Sequence, residues 1–191
     1  MNARPRADSG CWSHRGRGVL ACVGAAAVVF VLAMGRPVEH TDEAWFLWVA
    51  HRLAHGDVLY RDVYSVTTPL SHWVAALAVL VTGTHVATIR VISVVCFVAT
   101  AEFARRLVAR SGVGRIGQCV LCSSLFVLAS PAAHFVALYS GLAVALAMAA
   151  WVVARSPLRS PRSRSITVGA LCALSYLSKP NIGGVASACR M

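Results

Sequence analysis

Apolar runs separated by short, arginine-bearing polar segments set the pattern of the chain. Gly18 to Gly35 is eighteen residues without a charge, a length that spans about 27 Å as a helix. A second run, from about His85 to Ala104, carries Arg90 near one end and Glu102 near the other, both placed to snorkel or pair. Ile116 to Ala154 holds thirty-nine residues without a formal charge, too many for one helix. Ser130-Pro131 and His134 divide it into spans of about 116–133 and 136–154. The last run starts at Ile166, and thirteen apolar or small residues precede Lys179, the only lysine. Pro180 and the Gly183-Gly184 pair favour a break there, so this span runs over 166–178 or continues to 189.

Two weaker amphipathic segments lie between the first two spans. Thr41 can cap a helix running to about His55 and closed by Gly56-Asp57. Phe46, Val49 and Leu53 share one face and His51, Arg52 and His55 largely the other. With Trp45 and Trp48 the pattern predicts a helix lying in the interface plane. Leu70 to Gly83 is short for a crossing and contains Ser71, His72 and Thr82, so 69–84 reads as a second interfacial or re-entrant helix.

Composition turns this pattern into a class. The chain has 191 residues, 58% hydrophobic and 13% charged, with a mean hydropathy of +0.67; that charge fraction is about half that of a soluble domain. The expected fold is all-α: a polytopic membrane bundle of about five spans, with interfacial helices in the first extracytoplasmic loop. Residues 1–17 form a basic tail and 18–191 the membrane domain. The abrupt ending at Arg190-Met191, without a closing polar tail, reads as a truncated piece of something longer.

The net charge of +11 comes from seventeen arginines and one lysine. Twelve of those arginines fall in three segments, 1–17, 105–115 and 155–165. The positive-inside rule puts these on the cytoplasmic side of the inner membrane, with 36–84 and 130–135 outside. Had 69–84 crossed, the arginines from Arg105 to Arg115 would face out. The Ser/Pro/Arg stretch before Ile166 reads as a loop. Arginines grouped between apolar runs suit an anionic membrane face better than nucleic acid. The charged start and first apolar run also resemble a signal peptide, but Met34-Gly35-Arg36-Pro37 lacks a small-x-small cleavage site, which favours an uncleaved span.

Candidate chemistry concentrates in one place. Five of the seven acidic residues (Glu39, Asp42, Glu43, Asp57 and Asp62) lie between residues 39 and 62. The Asp42-Glu43 pair follows an apolar run, where a carboxylate costs free energy unless water, a partner or a substrate satisfies it. Two readings stand side by side: a chemical site, or acidic residues favouring a helix start. Lys179 at a helix break suits an anionic headgroup, or is a boundary lysine that snorkels. His51 and His55 have i, i+4 spacing but no third ligand nearby, so a metal is not indicated. The seven cysteines form no disulfide framework, and Cys119-Val-Leu-Cys122 reads as packing.

The order of these features is informative. A first span precedes Asp42-Glu43-Ala44-Trp45-Phe46. A short helix then ends in Ala54-His-Gly-Asp-Val-Leu-Tyr-Arg-Asp62, and Thr68-Pro-Leu-Ser-His-Trp73 follows. Val81-Thr-Gly-Thr-His85, the Arg90-Val-Ile-Ser segment and Leu177-Ser-Lys-Pro-Asn-Ile-Gly183 complete the set. Over roughly residues 18–185 this resembles the N-terminal portion of the GT-C membrane glycosyltransferases, nearest the protein O-mannosyltransferase and aminoarabinose-transferase-like group. The resemblance implies transfer of a sugar from a polyprenyl-phosphate donor to an acceptor hydroxyl on the extracytoplasmic side. It implies Asp42 as general base and Glu43 as the group that orients the acceptor or the aspartate. Lys179 and Arg90, with Arg61 as a weaker candidate beside Asp57 and Asp62, would be cations on the lipid phosphate. No cofactor is indicated, and the expected partners are the bilayer and the lipid-linked sugar. A flippase or transporter for that lipid, or a non-catalytic scaffold, is the rival reading.

Overall fold

The computed structural model describes residues 42–109, 138–156 and 160–188, together with Val31, Met34 and Gly35. Among these, the secondary structure is helical apart from one isolated bridge between Leu59 and Val63. The spans expected at 18–35 and 116–133, and Thr41, lie outside the described residues except at 31, 34 and 35.

Helix α1 (Glu43–Ala54) and helix α2 (Pro69–Thr82) occupy the two segments read as amphipathic. Asp42, one residue later than Thr41, holds the N-cap position of α1. At its other end Gly56 takes φ +100°, a conformation that favours glycine, and the chain turns away. Pro69 opens α2 with its ring already set for the first turn, behind an extended Thr68. Gly83 at φ +83° closes it. Helix α3 (Val86–Ala109) has 24 residues, about 36 Å at the standard rise. Helix α4 (Leu138–Ala154) has 17.

Helix α5 (Pro161–Ser178) starts earlier than the apolar pattern suggests. Ser160 caps it by accepting a hydrogen bond from the Ser163 N–H at 3.3 Å, and Pro161 fills the first position. Arg162 and Arg164 therefore lie in its first turns rather than in the loop expected there. Lys179, in extended backbone, ends α5, and Pro180 begins helix α6 (Pro180–Ala188).

Phe46 and Ala50 of α1, Ala75 and Val79 of α2, Ile89 and Cys96 of α3 and Ala145 of α4 form one buried cluster. Its small side chains let helix backbones approach closely. Helices α4 and α5 run antiparallel, with the buried Ser175 hydroxyl donating to the Ala143 carbonyl at 2.9 Å. Among the described residues one helix, α3, is both long and apolar enough to cross a membrane, and only 22% of its most apolar window is buried. A core helix of a soluble domain would be mostly covered. Helix α2 also turns Trp73, Leu77, Leu80 and Val81 outward. Among the described residues α3 is the helix that meets the length and apolarity of a crossing, and α2 and α4 are shorter apolar helices; the count of about five spans is not reached there.

The α5–α6 hairpin depends on one glycine. A Cβ at Gly183 would lie 2.3 Å from the Tyr176 N and Cα atoms, a clash with backbone that no rotamer relieves. Gly183→Ala is expected to push α6 off α5 and to cost about 1–3 kcal/mol, the usual penalty of overpacking. Gly169→Ala, where nothing lies within 4 Å of the added carbon, is expected to stabilise by about 0.5–1 kcal/mol through helix propensity. Thermal unfolding of the two variants in the same detergent should move in opposite directions.

Candidate functional site

The two carboxylates at the head of α1 are put to different uses. Glu43 is buried and faces α3, where the guanidinium of Arg90 meets it in a two-pronged pair: Nε donates to Oε1 at 2.6 Å and Nη2 to Oε2 at 2.7 Å. Both side chains are about a tenth exposed. Arg90 Nη1 also donates to the Met34 carbonyl at 3.5 Å. Three stretches of chain meet at this arginine. A fork-on-fork pair fixes angle as well as distance, so Glu43 locks the start of α1 onto the fifth residue of α3.

Asp42 is exposed, and its side chain makes no capping hydrogen bond to α1. The hydrogen-bonding part of the helix-start explanation therefore does not describe these residues. What remains is a carboxylate at the rim, carried on a helix end whose next residue is clamped.

The following loop is held by charge pairs and by a buried histidine. Arg52 pairs with Asp57. Arg61 is exposed and bonds the adjacent Asp62 at 2.8 and 3.0 Å. Hydrogen bonds from Arg61, and then from the Val58 N–H, hold the Asp62 carboxyl down at about 2. His51 contacts Thr84 Oγ1 at 2.7 Å through Nδ1, and His55 Nδ1 donates to the His51 carbonyl at 2.8 Å. His51 thus reaches the connection between α2 and α3, and His55 bonds back onto α1.

His72, one turn into α2, is fully buried. Its ring stacks on Phe46 with centroids 4.5 Å apart and meets Trp45 edge-on at 5.7 Å. Nε2 lies 2.6 Å from Thr67 Oγ1 and 2.9 Å from Ser65 Oγ, while Nδ1 has no hydrogen-bond partner among the described residues. The histidine ties the 57–68 loop to both α1 and α2. Desolvation pushes it down to about 4 from its ordinary 6.5. Between those values the unfolded chain binds the proton and the folded chain does not, so acid favours unfolding. Stability is expected to fall as pH drops from about 6.5 to 4 by at most about 3 kcal/mol, taking 1.36 kcal/mol per unit. A pH series of thermal unfolding should be flatter in His72→Gln over that window, and identical slopes would rule the histidine out as the cause.

Lys179 stands where three helix ends meet. Its Nζ donates to Ser140 Oγ near the start of α4 at 2.7 Å. The preceding Ser178 carbonyl accepts from Thr68 Oγ1, the residue before α2, at 2.6 Å. The structure therefore brings Glu43 together with Arg90, and Lys179 together with the heads of α2 and α4. Arg61 is engaged by its neighbour.

Sequence reasoning missed His72 as a structural centre, and with it Ser65, Thr67 and Ser140. A histidine inside an otherwise apolar helix, preceded by a Ser-x-Thr stretch, was the available signal. Comparison with known proteins adds nothing to these assignments: no family model, no curated protein and no solved structure matches the chain.

Proposed function

We propose that the chain is the N-terminal part of a multi-span membrane glycosyltransferase of the GT-C type, moving a sugar from a polyprenyl-phosphate donor to an acceptor hydroxyl outside the inner membrane. The observation that carries this reading is the division of labour at the head of α1. Glu43 is locked to Arg90, while the adjacent Asp42 is exposed and performs no capping. In this reading Asp42 takes the acceptor proton as the sugar C1 is attacked. Glu43 orients it, and Lys179 meets the lipid phosphate as it leaves. Arg90 acts through Glu43, and Arg61, at the exposed loop, is a peripheral cation. The little-buried α3 supports a lipid-facing bundle. Membranes containing the complete enzyme that this reading implies should transfer sugar from a polyprenyl-phosphate sugar to a hydroxylated acceptor. Abundant protein in the membrane fraction with no transfer speaks for the flippase or scaffold reading.

The topology has its own test. Single cysteines replacing Asp57 and Ser160 should label from opposite sides of sealed cells with an impermeant thiol reagent. Asp57→Cys should react from outside and Ser160→Cys only after permeabilisation. Labelling of both from outside would overturn the arginine-based orientation.

A further inference from the structure

The ammonium of Lys179 is placed by a helix other than its own. Ser175 Oγ donates to the Ala143 carbonyl at 2.9 Å, and Lys179 Nζ donates to Ser140 Oγ at 2.7 Å. Lys179 follows Ser175 by one helical turn and Ser140 precedes Ala143 by about one turn, so these are successive rungs between antiparallel helices. The main chain at Lys179 is fixed as well. Its N–H donates to the Ser175 carbonyl at 2.9 Å, and its carbonyl accepts from the Gly183 N–H at 3.0 Å. The carbonyl just before it, on the buried Ser178, accepts from Thr68 Oγ1 at 2.6 Å. A lysine that only marks a membrane boundary sends its stem out to water. This one is half-buried and bonded to a side chain 39 residues earlier.

We propose that Ser140 is a positioning residue, holding the Lys179 ammonium where a polyprenyl phosphate meets it. This role rests on Lys179 being the cation for that phosphate, and not on the chemistry at Asp42. The four-carbon stem of a lysine loses much rotamer freedom when a ligand immobilises it. Held beforehand by Ser140, the stem has given up that freedom before the phosphate arrives, which favours binding. The kind of partner matters too. The Ser140 hydroxyl is neutral, so its bond aims the ammonium without cancelling the charge, whereas Arg90 is met by the opposite charge of Glu43.

The test is native mass spectrometry of the detergent-purified chain after exposure to equal amounts of undecaprenyl phosphate and undecaprenol. The two lipids share their apolar body, so the ratio retained reports the phosphate contact. The wild type should favour the phosphate, and Lys179→Met should remove most of that preference. Ser140→Ala should lower it by about fivefold, the order of one hydrogen bond. Ser140→Cys, close in size but a weak acceptor, should do the same, while Ser140→Thr, which keeps the hydroxyl, should match the wild type. These variants are expected to fold, because the Ser175–Ala143 bond still ties α4 to α5, and thermal unfolding checks this. A merely structural tie would shift stability, or retention of both lipids together, and leave the ratio unchanged; that result overturns the role of Ser140. A loss that Ser140→Thr shares does so too, since the hydroxyl is then not the cause. Equal retention of the two lipids by the wild type, or a preference that survives Lys179→Met, defeats the reading of Lys179 first. A preference lost in Lys179→Met but intact in Ser140→Ala and Ser140→Cys defeats this proposal alone.

Discussion

Asp42→Asn is expected to lower sugar transfer by roughly 10²–10⁴, the usual contribution of a positioned general base. Asn preserves size and most hydrogen bonding and removes only the oxygen that can accept a proton. Because the side chain makes no cap to α1, its replacement should leave helix and fold intact, and Asn is in any case accepted at such a position. Donor binding should change little, since the lipid phosphate is met by cations. The loss would then appear in kcat at nearly constant KM for the donor. Glu43→Gln should reduce transfer for a different reason, through displacement of the head of α1, and should show a stability loss that Asp42→Asn lacks. Near-normal transfer by Asp42→Asn would falsify the catalytic assignment and leave Asp42 as an exposed residue without a role in the chemistry.

The elements that hydrophobic period and local chemistry specify were legible. Gly56 and the Thr68-Pro69 and Gly83 pairings delimit α1 and α2 to within two residues, because caps and breakers act locally. Helix α3 begins within a residue of the expected start and runs five residues past the expected end at Ala104. There Glu102 pairs with Arg105 and Arg106 one turn on, and these charges continue the helix past the apolar run. Helix α5 starts five residues before the apolar run at Ile166, because Ser160-Pro161 is a start signal that lies ahead of the arginines. What no local rule could give is partnership. Arg90 looked like a cation awaiting a phosphate, yet its guanidinium is engaged by a carboxylate 47 residues earlier. His72 looked like a polar blemish in an apolar helix, and it is the residue on which α1, α2 and the intervening loop converge. For Arg90 this is a product of tertiary packing, a guanidinium satisfied by a group distant in sequence; His72 is bonded by the nearby Thr67 and Ser65 and reaches α1 only through its ring contacts with Phe46 and Trp45.

The Glu43–Arg90 pair is expected to be the most costly ion pair to break in the described structure. Each side chain is about a tenth exposed, so removing one leaves the other charged in a poorly solvated place, a loss of about 3–5 kcal/mol. Glu43→Leu and Arg90→Met alone should each destabilise the detergent-solubilised protein to that extent. The double variant Glu43→Leu with Arg90→Met should recover most of the loss, because a buried pair exchanged for apolar residues of similar volume is often neutral in stability. That non-additivity separates a lock from two independent contributions. Arg90→Lys adds a second discrimination: it keeps the charge but cannot make the two-pronged contact, so it should be intermediate in stability. If Arg90 instead served the lipid phosphate, the pattern would invert. Arg90→Met would then remain as stable as the wild type while donor affinity collapsed, and the double variant would rescue nothing. Equilibrium unfolding of the four proteins, read beside donor binding, decides between the two. Stability loss with recovery in the double variant assigns Arg90 to holding the head of α1, and thereby Asp42, in place.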